Sequence, residues 1–311
     1  MPQPPSIRFL RAIVFVAFAF LTAATASGQT AEIRSSPTRP AIRVVDGDWG
    51  RARPEEIEAV ARSVADVLLR AVGQLEPLAI AIEPGTEHPE VLYKKNSRGE
   101  YVIVLSARDR RWAQYAYQFS HELCHVLANF DHRISTRGEP LSRHQWFEEA
   151  VCETAALFSL RAMAARWQDA PPFSHWQDYA PWLAAYADEM LAAEHRRHAQ
   201  LQRLRAWYVE HGAVLAQDPY ARQLNDFCAA ALLPLFEADP ARWNALRYLN
   251  LDGAAAEPTF NGYLARWQRS APDQHRAFIR RLAVAFGPGG VDDTRSEPAP
   301  AASATLVSAW R

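Results

Sequence analysis

The stretch Glu100–Phe130, EYVIVLSARDRRWAQYAYQFSHELCHVLANF, is where the chain changes period. Tyr101–Leu105 is a short apolar run of β-branched and aromatic residues, the pattern of a strand. From Arg110 to Phe130 the apolar residues recur at helical spacing. Before this stretch the pattern is mixed, and after it nearly everything reads as helix.

Upstream, Ile42–Val45 and Leu78–Ile82 read as further strands. Between them PEEIEAVARSVADVLLRAV is an amphipathic helix, with Pro54, Glu55 and Glu56 forming a favourable first turn. VLYKK, NSRG and EYVIVL read as a hairpin, because Asn96 and Gly99 supply turn chemistry between two strand-like runs. Downstream, SRHQWFEEAVCETAALFSLRAMAARW is a second long helix, with Ser142 and Gln145 spaced as a capping box. Further helices are expected within Pro181–Glu210, Tyr220–Glu237, Pro240–Leu249 and Phe260–Phe286. Strands first and helices after predict an α+β fold: a small N-terminal mixed sheet, two helices that carry the chemistry, and a mainly helical C-terminal half.

The chain has 311 residues, with 34 Lys and Arg against 35 Asp and Glu. Arg8 and Arg11, the apolar run Ala12–Leu21 and the small triplet Ala24-Thr25-Ala26 are laid out as a secretory signal peptide over residues 1–26. An exported protein, periplasmic or secreted, is therefore expected. No later stretch approaches the roughly 20 apolar residues of a membrane span, so none is expected after cleavage. Removing the leader takes two arginines and no acid, which leaves a slight acidic excess. That balance argues against a nucleic-acid partner. Residues 31–190 are expected to form the site-bearing α+β domain and 191–286 a helical subdomain. Residues 287–311, rich in Gly, Pro, Ala and Ser, read as a disordered tail.

HELCH places His121 and His125 four residues apart, about 40° round a helix, so both imidazoles can converge on one ion. Glu122 then stands beside the ion. Zinc accepts nitrogen and oxygen ligands, keeps a position open for water and lowers that water's pKa to about 7. A neighbouring glutamate can take the water's proton and pass it to a leaving amine. Such a centre needs a third protein ligand. Asp131, just beyond the helix, is one source, in the manner of the metzincins. The glycine of their motif is replaced by Ala128, although Asn129 can supply a left-handed turn.

The other source is WFEEAVCET. Here the sequence resembles the gluzincin metallopeptidases, the group of thermolysin and the zinc aminopeptidases, in which H-E-x-x-H is followed by a helix carrying a glutamate ligand. Trp146-Phe147-Glu148-Glu149-Ala150 looks like the aminopeptidase W-L-N-E-G, which implies Glu149 as the third ligand of one zinc ion. Glu153, four residues on, would bond His121 and fix its tautomer. Glu148 is the competing ligand, with Cys152 rather than an acid four residues later. The longer connection between the motifs is expected as a loop insertion around Asp131–Arg143.

The strand before HELCH takes the position of the gluzincin edge strand that pairs with an extended substrate; by its residues alone it reads as an ordinary core strand. PYARQLNDF, followed by FEADPARWNALRYLN, is similar to the aminopeptidase Y-E-K-G pattern and its downstream helix. The resemblance implies Tyr220 as a donor to the oxyanion, with Gln223 in place of the family's glycine; a plain core tyrosine is the other reading. Tyr248, Tyr263 and His211 are weaker candidates. The G-x-M-E-N segment that grips a free amine is missing, so exopeptidase specificity is not implied.

The resemblance thus implies a zinc peptidase acting on a peptide or protein substrate. A catalytically silent envelope scaffold of the same fold is the alternative from another class. Cys124 and Cys152 hold equivalent places on the two helices, as a disulfide or as two buried thiols. His195 and His198, in AEHRRH, read as a solvated face rather than a second metal site.

Overall fold

The computed structural model describes residues 39–73, 77–133, 144–251 and 257–287. The leader over 1–26, Ser142 of the expected capping box, most of the Asp131–Arg143 insertion and the tail beyond Gly287 lie outside the described residues. The fold is α+β, as the change of period predicts. Among the described residues no helix is long and apolar enough to cross a membrane.

The element order is β1 (Ala41–Val44), α1 (Pro54–Val72), β2 (Ala79–Pro84), β3 (Glu90–Val91), β4 (Tyr101–Leu105), α2 (Trp112–Leu127) and α3 (Gln145–Trp167). The remaining helices are α4 (Ala180–Ala192), α5 (Leu204–Gln217), α6 (Arg222–Ala238), α7 (Phe260–Ser270) and α8 (Asp273–Phe286). Tight 3₁₀ turns join several of them, the longest over Pro240–Tyr248. The helix α1 matches its sequence pattern end for end. The Glu56 carboxylate accepts from the Arg53 backbone N–H at 3.0 Å, and Pro54 opens the first turn.

The sheet runs β1-β2-β4-β3. β1 and β4 both lie parallel to β2, with Ile42 opposite Ile80 and Ile82 opposite Ile103. β3 returns antiparallel to β4, with Val91 opposite Ile103. The return is made by the expected turn. Asn96 Oδ1 accepts the backbone N–H groups of Arg98 and Glu100, and Gly99 takes φ of 75°, a left-handed angle that costs glycine little.

This hairpin makes β4 the core strand that its residues suggest, not the edge that the resemblance implies. β4 is interior, flanked by β2 and β3, and the Leu92 N–H extends the pairing to the Val102 carbonyl at 2.9 Å. The edge falls to β3.

The step from β4 to α2 is locked by one side chain. Gln118 Oε1 accepts from the backbone N–H groups of Ser106 and Ala107 at 3.1 and 3.0 Å. The helix bearing HELCH is thereby fixed against the end of its strand. α3 is the central helix: every residue from Gln145 to Leu160 is buried, and α1, α2, α4 and α6 pack around it. A helix buried all round carries no single apolar stripe.

Candidate metal centre

His121 and His125 come from successive turns of α2, and Glu149 from the second turn of α3. His121 Nε2 lies 3.3 Å from Glu149 Oε2, and His125 Nε2 lies 3.4 Å from the same oxygen. The three ligand atoms fall within 4.8 Å of one another, all on buried residues, so the group could hold a metal ion. Burial opposes charge on His121, but its contacts with Glu149 and Glu153 outweigh that and raise it to about 9. His125 is raised well above the usual imidazole range, and Glu149 is held below the carboxylate range by both histidines against the cost of burial. Two imidazoles thus gather positive charge around one carboxylate oxygen. A cation fits this arrangement, because it would displace the protons and satisfy all three donors together.

Glu122 is 1 % exposed, and its Oε1 has no hydrogen-bond partner among the described residues. Burial raises its carboxyl above the usual range. That is the behaviour of a group poised to take up a proton.

Each histidine also has a carboxylate behind it. His125 Nδ1 lies 2.6 Å from Glu148 Oε1, and Glu148 Oε2 accepts from Asn250 Nδ2 at 2.5 Å. Asn250 in turn accepts from the Tyr263 hydroxyl at 2.9 Å. His121 Nδ1 faces Glu153 Oε2 at 3.8 Å, an ion-pair distance rather than a hydrogen bond. Glu153 accepts from the Tyr117 hydroxyl and from Arg196 Nη2, each at 2.5 Å. With Nδ1 of His125 hydrogen-bonded to Glu148 and Nδ1 of His121 turned towards Glu153, Nε2 of each ring faces Glu149.

A second cluster of ligand atoms joins His125, Glu148 and Cys152. It shares His125 with the first and is bridged by the His125–Glu148 hydrogen bond. Cys124 and Cys152 are free buried thiols. Burial first, then contact with Cys124, raises the Cys152 thiol well above its usual range.

The other candidates divide. Asp131 belongs to neither cluster; its Oδ2 accepts from the Tyr101 hydroxyl at 3.2 Å. Asn129 does take the left-handed turn, at φ of 57°, and its amide donates to the Arg247 and Leu249 carbonyls. Tyr220 is drawn to the centre by Gln145, whose Nε2 donates to the Tyr220 hydroxyl at 2.7 Å and to Glu149 Oε1 at 3.3 Å. Gln145 is therefore the first residue of α3 and turns inward, rather than standing third behind a Ser142 cap. Of the weaker candidates only Tyr263 joins the network. Tyr248 lies beside His275 and His211 packs on Trp207.

Two groups of the network, Asn250 and Arg196, were not candidates in the sequence, and Glu148 was one only as the competing ligand. Glu148 acts from behind His125, a place open to it because adjacent helical residues point about 100° apart. Asn250 gave no signal. Arg196 lies within the stretch read as a solvated face, yet its side chain is 1 % exposed. His195 is partly buried too, its Nε2 2.7 Å from Asp226 Oδ2.

Comparison with protein-family models and with curated proteins finds no match to this chain.

Proposed function

We propose that the chain is a zinc-dependent peptidase of gluzincin type. The observation that carries this reading is the convergence of His121 Nε2 and His125 Nε2 on one oxygen of Glu149, with the buried carboxyl of Glu122 on the same helix. Two imidazoles and one carboxylate are a donor set that suits zinc and leaves a position for water. Zinc, when bound, supplies an activated water and polarises the scissile carbonyl.

The chain's own residues do the rest. Glu122 takes the proton of the attacking water and later delivers it to the leaving amine. Glu148 holds the His125 ring by its outer nitrogen, and Glu153 faces the outer nitrogen of His121. Tyr220, placed by Gln145 beside Glu149, donates a hydrogen bond to the oxygen that gains negative charge. The leader-like composition of residues 1–26 supports an exported protein acting on a peptide or protein substrate.

The test is metal content and turnover measured together. Purified protein should hold one zinc per chain and cleave a generic casein-type substrate, and Glu122→Gln should keep the zinc and lose the cleavage. Equal turnover by wild type and Glu122→Gln would refute the mechanism. Zinc without turnover of any peptide would favour the silent scaffold.

A further inference from the structure

Behind Glu153 lies a buried set of charges, Arg196, Asp226 and Arg222, that the proposed chemistry does not use. Glu153 Oε1 meets Arg196 Nη2 at 2.5 Å, and the same nitrogen lies 3.0 Å from Asp226 Oδ1. Arg222 completes the set: its Nη2 donates to the Tyr117 hydroxyl at 3.1 Å, and its Nε lies 3.7 Å from Asp226 Oδ2. The side chains of Arg196, Glu153 and Asp226 are 1 %, 6 % and 5 % exposed. They come from three separate places, the Glu194–Arg196 turn, α3 and α6.

Stability alone does not account for such an arrangement. A buried ion pair does about as well as apolar side chains of the same volume, and often worse. Arg196 also leaves Nε and Nη1 without a hydrogen-bond partner among the described residues, which adds to the cost. What the arginine does achieve is geometric. It grips Oε1 of Glu153, the Tyr117 hydroxyl grips Oε2, and the carboxylate is left presented to His121 Nδ1. A His121 ring whose Nδ1–H faces that carboxylate has its Nε2 lone pair free to point to a metal.

We infer that Arg196 is a positioning residue for the metal centre, acting through Glu153 on the orientation of His121. The inference rests on the reading of His121, His125 and Glu149 as metal ligands. It extends the working site to a residue more than forty positions beyond the last ligand in sequence.

The experiment is a double-mutant cycle read as zinc affinity, by competition with a chelator, on the full chain. Arg196→Met and Glu153→Gln should each weaken zinc binding by about 10- to 100-fold. The double variant should bind no more weakly than Glu153→Gln alone, because the arginine acts only through the glutamate. Arg196→Lys, which keeps the charge, should recover most of the loss. Where Arg196→Met alone fails to fold, the double variant still answers, since it leaves no unopposed Glu153 charge. A further tenfold loss from Glu153→Gln to the double variant would overturn the inference. So would zinc bound by Arg196→Met as tightly as by wild type. A wild-type chain that binds no zinc overturns the metal centre itself, and the inference with it.

Discussion

His125 stands between two adjacent glutamates, with Nδ1 2.6 Å from Glu148 Oε1 and Nε2 3.4 Å from Glu149 Oε2. Consecutive residues of one helix therefore hold opposite sides of a single ring, one facing the candidate ion and the other fixing the tautomer.

This division predicts graded metal losses. Glu149→Ala removes a ligand and should release zinc on dialysis. Glu148→Gln should retain it with affinity lowered by about 10- to 100-fold. Asp131→Ala, whose carboxylate is engaged by Tyr101, should leave zinc content unchanged. Atomic absorption after dialysis separates the three; release by Asp131→Ala but not Glu149→Ala would exchange the third ligand.

Tyr220 is held beside Glu149 by Gln145 rather than by the ion. Tyr220→Phe should lower kcat about 10²-fold, with zinc content and KM little changed. Steady-state kinetics on a casein-derived peptide checks this, and an unchanged kcat would return Tyr220 to the core.

The thiols carry a simple count. Cys124, Cys152 and Cys228 are all buried and free. Denatured protein prepared without reductant should therefore titrate as three thiols, and native protein should react far more slowly. A titre of one would show that Cys124 and Cys152 are bridged.

Acid should weaken the ion pair that ties β1 to β4. Arg43 of β1 hydrogen-bonds Glu100 at the start of β4 and, with Asn96, lowers that carboxyl to about 2. A depressed carboxylate stabilises the fold above its unfolded pKa, about 4.3, and the contribution is lost as pH falls from there towards 2. Arg43 is 38 % exposed, so solvent screening keeps the effect to about 1 kcal/mol or less. Melting temperatures of wild type and Glu100→Gln should therefore converge between pH 5 and 2.5; a constant gap would exclude the pair as the cause.

The parts legible in sequence are those set by local pattern. α1 announces itself by spacing and by Pro54 at its start, and the HELCH helix by its apolar period. The turn chemistry of Asn96 and Gly99 announces the hairpin that makes β4 interior, whereas the edge position came from the resemblance alone. Gln145 suggested a cap because its spacing to Ser142 is local, whereas its real partners, Glu149 and Tyr220, include one 75 positions away. Arg196 escaped for the same reason on a larger scale. AEHRRH has the composition of a wet surface, and what buries it is a pair of acids delivered by α3 and α6.

Burial of α3 on every side from Gln145 to Leu160 bears on the history of the chain as well as its chemistry. Elsewhere a helix can drift on its solvent face while its inner face is kept. Here no outward face exists before Arg161, and each replacement must refit a packed neighbour or a ligand. Kin too diverged to align along their full length should still betray themselves by this one run, W-F-E-E followed at helical distance by C-E, long after the surface around it has become unrecognisable.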